Sequence, residues 1–231
     1  MSFEPIMPPY NANDPTATFL SSSCLDLLLI ELVPMAYRVT NELELASASA
    51  ASASASVSAS GAALSAADSV SGTGTVGSVA ALGSRHPQQR VLDDDEERDA
   101  VFYRLETLGY RVGQGLVERF SRDRPRFNDT LDVIKFICKD LWTLVFRKQV
   151  DNLKTNHRGV YVLTDNLFRP FSRMSTGPGV NAVPRAEPFL WFPCGIVRGA
   201  LAAMGINATV QAETTELPQA IFQIKTVPVK S

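Results

Sequence analysis

The sequence predicts an α+β domain in which a helical layer packs on one face of a twisted antiparallel sheet. Three observations carry this. The order of periodic segments is helices, hairpin, helix, hairpin. Of the 231 residues 45% are hydrophobic, enough for a packed core. A long uncharged Ala/Ser stretch interrupts the chain, and once it is set aside the remainder is the size of one domain.

Met1 to Thr18 is proline-rich and reads as a disordered tail. Residues 19–45 hold the first helix, centred on Ser23–Asn41. Ser23 with Asp26 resembles a capping box. Leu25, Leu28, Leu29, Leu32, Ala36 and Val39 form one apolar stripe, and Leu27, Ile30 and Tyr37 a second. A helix apolar on two faces needs burial on two sides. Pro34 should kink or end it. Residues 46–92 read as a disordered insertion: Ala46–Ser84 has almost no charge and no apolar period, so burial cannot offset its ordering entropy. The acidic run Asp93–Glu97 marks re-entry into structure, and 93–231 complete the domain. Acidic residues suit a helix start.

Val101, Leu105 and Leu108 give a second helix, with Gly109 where a C-cap glycine belongs. Val112, Leu116 and Phe120 give a third. Asn128–Arg147 gives a fourth, with Leu131, Ile134, Cys138, Leu141 and Val145 on one face. KQVDNLKT and GVYVLTD flank the turn NHRG and read as a hairpin. LFRPFSRM reads as a third strand that Pro170 demotes to an edge or a bulge. Thr176–Pro188 is a loop. A fifth helix starts around Pro193 and closes at Gly205. INATVQAET and QAIFQIKTV make the second hairpin.

The bulk numbers exclude several functions. A net charge of −2 does not suit a nucleic-acid binder. Three scattered cysteines fit a reducing compartment better than a disulfide framework. The N-terminus lacks the basic and apolar regions of a signal peptide. The most apolar stretch, LDLLLIELVPMAY, is broken by Asp26, Glu31 and Pro34 and is short of the ~20 residues a span needs. The expectation is a soluble protein with peripheral membrane contact at most.

Gly109, Gly113 and Gly115 are spaced G-x-x-x-G-x-G within helical sequence. Neither the dinucleotide fingerprint nor the P-loop has that spacing, and no Lys-Ser/Thr pair follows. They read as structural glycines: Gly109 ends a helix, and Gly113 and Gly115 let another approach. Cys194 at a helix start could be a stabilised thiolate, but a nucleophile needs a histidine base. Only His86 and His157 exist, in the linker and in a turn. Cys194 therefore reads as a small buried hydrophobe. No metal spacing and no cofactor motif occurs. Arg119, Arg122, Arg124 and Arg126 form a basic cluster diluted by Glu118, Asp123 and Asp129. It reads as a solvated helix end, with weak contact to anionic membrane as the rival. Trp142 and Trp191 read as core anchors.

The stretches GYRVGQGLVERF, LDVIKFICKDLWTLVFRKQVDNLKTNHRGVYVL and CGIVRGALAAMGI resemble the TRAPP (transport protein particle) small-subunit, Bet-three-like family, above all its subunit-six branch. The resemblance covers about Leu25–Arg38 and Asp99–Val227. It rests on Gly109-Tyr110, Val112-Gly113, Leu116, Glu118 and Phe120, with Cys194-Gly195 and Arg198-Gly199; VGQGLVERF and FICKD mark the branch.

The resemblance implies the same helix-on-sheet fold and a non-catalytic role. Such subunits pair through their first helices in a complex that exchanges nucleotide on Rab GTPases and tethers vesicles in ER-to-Golgi and Golgi traffic. It implies a heterodimer with the acylated Bet-three-like subunit, only indirect contact with a Rab GTPase, and a cytoplasmic location, peripheral on Golgi and ER membranes. The expected partner interface is Leu27, Ile30, Val33 and Tyr37 with Val101 and Leu105. The structural glycines are Gly109, Gly113, Gly115, Gly195 and Gly199. The chain departs from the acylated relative in one segment, SRDRPRFNDT, which lacks the cysteine that carries the lipid. A small-molecule sensor module of the four-vinyl-reductase-like fold is the alternative.

Overall fold

The computed structural model describes residues 21, 23–61, 93–122, 124–156, 158–174 and 182–227. The tail 1–18, residues 62–92 of the insertion, and His86 and His157 lie outside them. The elements are α1 (Ser23–Gly61), α2 (Asp94–Phe120), α3 (Thr130–Phe136), a π turn (Ile137–Leu141), α4 (Trp142–Phe146), β1 (Asn152–Thr155), β2 (Val160–Asp165), a 3-10 turn (Arg169–Phe171), α5 (Val183–Ala186), α6 (Pro188–Ala203), β3 (Ala208–Glu213) and β4 (Ala220–Thr226). The described residues fall into two compact units: those up to Ala36 with those from Ala100 on, and Tyr37–Asp99.

In the first unit both expected hairpins are present and join into one antiparallel sheet of order β1-β2-β4-β3. Register places Leu153 opposite Leu163, Leu163 opposite Phe222, and Ala212 opposite Phe222. Those residues share one face, because side chains alternate along a strand. Leu163, Ala220, Phe222 and Ile224 are fully buried there. They pack in one core with Ile134, Ile137 and Leu141 of the α3–α4 run and Leu190, Val197 and Leu201 of α6. The architecture is the α+β arrangement read from the sequence.

The core is closed by an aromatic cluster. The Trp142 ring meets Phe222 edge-on at 5.1 Å and Phe146 at 4.6 Å, and Phe168 lies 5.0 Å from Phe146. The polar end of Trp142 needs a partner once buried. Its Nε1–H donates to Asp165 at 2.8 Å, and the Lys148 ammonium donates to the other carboxylate oxygen at 2.6 Å. Both tryptophans are buried.

Several elements differ from expectation. Gly109 does not end a helix, and α2 runs unbroken through all three of its glycines. The α1 helix passes Pro34 and the expected end near Asn41, and continues to Gly61, across the start of the insertion. Pro34 removes the hydrogen bond to the Ile30 carbonyl. Both residues are exposed, so water can satisfy that carbonyl. Beyond Asn41, alanine is the strongest helix former. The hydroxyls of Ser47 and Ser49 donate back to the Glu44 and Ala46 carbonyls at 2.8 Å.

LFRPFSRM is a 3-10 turn rather than a strand. Phe168 and Phe171, three residues apart, both point into the core, a spacing that one 3-10 turn superimposes. α6 starts at Pro188 rather than Pro193; a first-turn proline gives up only an N–H that has no intrahelical partner. Gly205 does close α6, at φ 78°, with Ile206 N–H donating to the Leu201 carbonyl. The fourth helix is capped by Asp129, whose carboxylate accepts from Asp132 N–H at 2.7 Å. It widens into the π turn at Ile137–Leu141 instead of running as one regular helix.

Candidate functional site: a glycine-lined crossing and two exposed helix faces

Where α2 crosses α6 the backbones touch. A Cβ on Gly109 would overlap the Phe192 carbonyl oxygen and lie 3.0 Å from Gly195 Cα. One on Gly113 would overlap the Ile196 carbonyl, one on Gly195 the Glu106 carbonyl, and one on Gly199 the Tyr110 carbonyl. Four glycines, two per helix at i and i+4, therefore form each other's contact surface. Gly115 differs: a Cβ there meets nothing within 4 Å, so it takes no part in the crossing.

An ion pair spans the same crossing. Arg198 of α6 grips Glu106 of α2 with two hydrogen bonds, Nε to Oε1 and Nη2 to Oε2, the latter 2.6 Å. Its guanidinium also lies 4.6 Å from the Tyr110 ring centroid. The Glu106 hydrogen bonds raise the Arg198 pKa further above its usual value. Fork-to-fork geometry of this kind fixes orientation as well as distance. Phe102 completes the crossing edge-on to Trp191 at 5.6 Å.

The sequence-predicted interface divides in two. Val33, Val101 and Leu105 are core residues, 6%, 0% and 1% exposed, and cannot face a partner. An i, i+4 stripe marks an apolar face without saying what covers it; here the chain's own core does. Leu27 and Ile30 are exposed at 62% and 39%, and Tyr37 is half-buried. Phe102 and Tyr103 of α2, at 41% and 69%, are the exposed apolar side chains that the stripe reading passed over. They follow Val101 by one and two positions, which turns them to other sides of the helix.

Polar contacts fix the start of α1. Asp26 accepts from Arg169 Nε at 2.7 Å and Nη2 at 2.9 Å, with Arg173 3.7 Å away. The Arg169 hydrogen bond holds the Asp26 carboxyl below its usual range. The pair joins α1 to the 3-10 turn and orients the helix so that Leu29 and Leu32 are buried while Leu27 and Ile30 remain outside. Asp26 at the first turn therefore has a specific tertiary partner that helix-start reasoning alone does not reveal.

Cys194 sits inside α6, not at its start, and is buried; burial pushes its thiol well above the usual range. Burial likewise pushes Cys138 up to about 12. Both lie within the hydrophobic core. Among the described residues no group of three or more His, Cys, Asp or Glu is placed to hold a metal, and no helix is long and apolar enough to cross a membrane.

Residues 25–227 match the family described as transport protein particle (TRAPP) component. The chain is 52% identical over 130 residues to the trafficking protein particle complex subunit 6b of Danio rerio, covering 56% of this chain and 82% of the relative. It is 52% identical over 128 residues to subunit 6B of Homo sapiens, covering 55% and 80%. With human subunit 6A the identity is 48% over 120 residues, covering 52% and 74%. Among solved structures, a trafficking protein particle complex subunit 3 from Naegleria fowleri covalently bound to palmitic acid aligns over 56% of this chain and 82% of its own, with a TM-score of 0.47 and 15% identity. The match spans both hairpins, the glycine crossing and the exposed faces of α1 and α2: this chain belongs to the TRAPP component family.

Proposed function

We propose that the chain is a non-catalytic structural subunit of a TRAPP complex, pairing through α1 and α2 with another small subunit of the acylated, Bet-three-like type. The observation that carries the reading is the exposure of Leu27, Ile30, Phe102 and Tyr103 on the two helices that open the family domain. Large apolar side chains left outside on folding favour a partner surface when they cluster on defined elements. Aromatic residues are the usual anchors of such surfaces. The assembly, rather than this subunit, then supplies nucleotide exchange on a Rab GTPase and vesicle tethering between ER and Golgi. Its location follows from the complex: cytoplasmic and peripheral on those membranes. Loss of the lipid-bearing cysteine from the segment before α3 fits the unacylated member of the pair.

The test is mass by size exclusion with light scattering, for the chain alone and co-expressed with the acylated partner subunit. A one-to-one complex is expected, and Ile30→Asp combined with Tyr103→Asp should dissolve it while leaving the far-ultraviolet circular dichroism unchanged. A complex that survives both substitutions would show that pairing uses another face.

A further inference from the structure

A pocket of about 330 Å³ opens between the segment after α2 and the outer side of the α3–π run. Its walls carry four cations, Arg124, Arg126, Lys135 and Lys139, against two carboxylates, Asp132 and Asp140. The charges are not all equally available. Arg124 is committed: it pairs with Asp140 at 2.8 Å and lies 5.4 Å from the Phe136 ring centroid. Lys135 reaches Asp132 only at 3.4 Å, in an exposed pair that contributes little. Arg126 and Lys139 are exposed and have no ion-pair partner among the described residues.

The pocket is shaped as well as charged. Phe127 and Phe136, 5.3 Å apart, give it an apolar side. Lys139 and Asp140 stand on the π turn, a local widening of a helix that recurs at binding sites. Arg124, held by Asp140 and the Phe136 ring, is a fixed wall rather than a mobile side chain. The volume lies at the low end of the range for small-molecule sites and exceeds what a bare phosphate fills.

We infer that this pocket binds an organic phosphomonoester, with Arg126, Lys135 and Lys139 on the phosphate and the Phe127–Phe136 side against the organic part. A phosphomonoester carries close to two negative charges at neutral pH and three acceptor oxygens, matching three cations with donors to spare. The phosphate belongs either to a soluble metabolite or to a lipid headgroup. The inference is independent of how the subunit pairs, since the pocket residues lie on neither α1 nor α2.

Calorimetric titration of the full chain with glycerol 3-phosphate tests it, alongside flotation with phosphatidylcholine vesicles containing phosphatidic acid or, as control, phosphatidylglycerol. Saturable binding is expected. R126E combined with K139E should lower affinity about tenfold or more, with the melting temperature unchanged. Flotation with phosphatidic acid that glycerol 3-phosphate competes away identifies a lipid headgroup; titration without flotation identifies a soluble phosphomonoester. If the double variant misfolds, K139Q alone should still weaken binding several-fold. The inference is overturned if neither probe binds saturably, if the folded variants bind as tightly as the parent, or if phosphatidylglycerol vesicles bind equally well, which would mean diffuse charge.

Discussion

The α2–α6 crossing and the first turns of α1 are both helix packings, and they are built on opposite terms. At the crossing nothing intervenes: four glycines leave carbonyl oxygens where a methyl would go, and Glu106 and Arg198 lock the angle. At α1 the helix is held by side chains, with Leu29, Leu32 and Val33 buried beneath it and Asp26 tied to Arg169, while Leu27 and Ile30 face outward. The first arrangement tolerates no change because the obstructing atoms are main chain. The second holds one face and leaves Leu27 and Ile30 exposed on the other. α2 carries both kinds of surface: its glycines lie against α6, while Phe102 and Tyr103 remain exposed.

The comparison breaks most visibly at Gly113. Gly113→Ala places a methyl on the Ile196 carbonyl, which no rotamer change can move. Overpacking of this kind costs about 1–3 kcal/mol, and a backbone obstacle puts it at the upper end. Alanine's better helix propensity returns about 1 kcal/mol, leaving a net loss of about 2 kcal/mol. Denaturant titration by circular dichroism measures this as a lower midpoint. Gly199→Ala, against the Tyr110 carbonyl, should behave alike. Wild-type stability in both variants would mean that the helices can part without cost.

A smaller effect is expected at α1, and it depends on pH. Asp26 has its folded pKa depressed, chiefly by the Arg169 hydrogen bonds. A depressed carboxylate stabilises the fold above its unfolded pKa, near 3.8, and that contribution is lost as pH falls through the lower folded value. The pair is partly exposed, so the amount is at most about 1 kcal/mol. Asp26→Asn should remove that part of the acid sensitivity and lower stability slightly at neutral pH. Equal pH slopes below about 4 for the two proteins would detach Asp26 from the fold.

What the sequence revealed follows from the range of each interaction. The hairpins were legible because alternation at Tyr161–Leu163 and Ala220–Ile224 is local and unambiguous. The helix face Ile134, Cys138, Leu141, Val145 was equally plain, yet the π turn within it was not, since one extra residue per turn leaves the apolar spacing readable. Gly109 was misread as a cap because cap and crossing glycines look alike from one side. The second signal lay 86 residues on, where Gly195 and Gly199 repeat the four-residue spacing of Gly109 and Gly113. Val101 and Leu105 were assigned to a partner because periodicity reports an apolar face and not its neighbour. The proposed phosphomonoester pocket was half visible, in Arg124 and Arg126; Lys135 and Lys139 of the following helical run line the same pocket only in the folded chain.

Gly115 gives the smallest effect and the sharpest control. It stands two residues from Gly113 on the same helix, is exposed, and has open space where a side chain would go. Its conformation is helical, so alanine fits without strain and reduces the entropy of the unfolded chain. Gly115→Ala should therefore stabilise the protein by about 0.5–1 kcal/mol, opposite in sign to Gly113→Ala. Measured together by denaturant midpoint, the two substitutions separate helix propensity from helix contact, because the chemical change is identical and only the neighbour differs. A destabilising Gly115→Ala would place a further surface against the outer side of α2, and the open face of that helix would then extend beyond Phe102 and Tyr103.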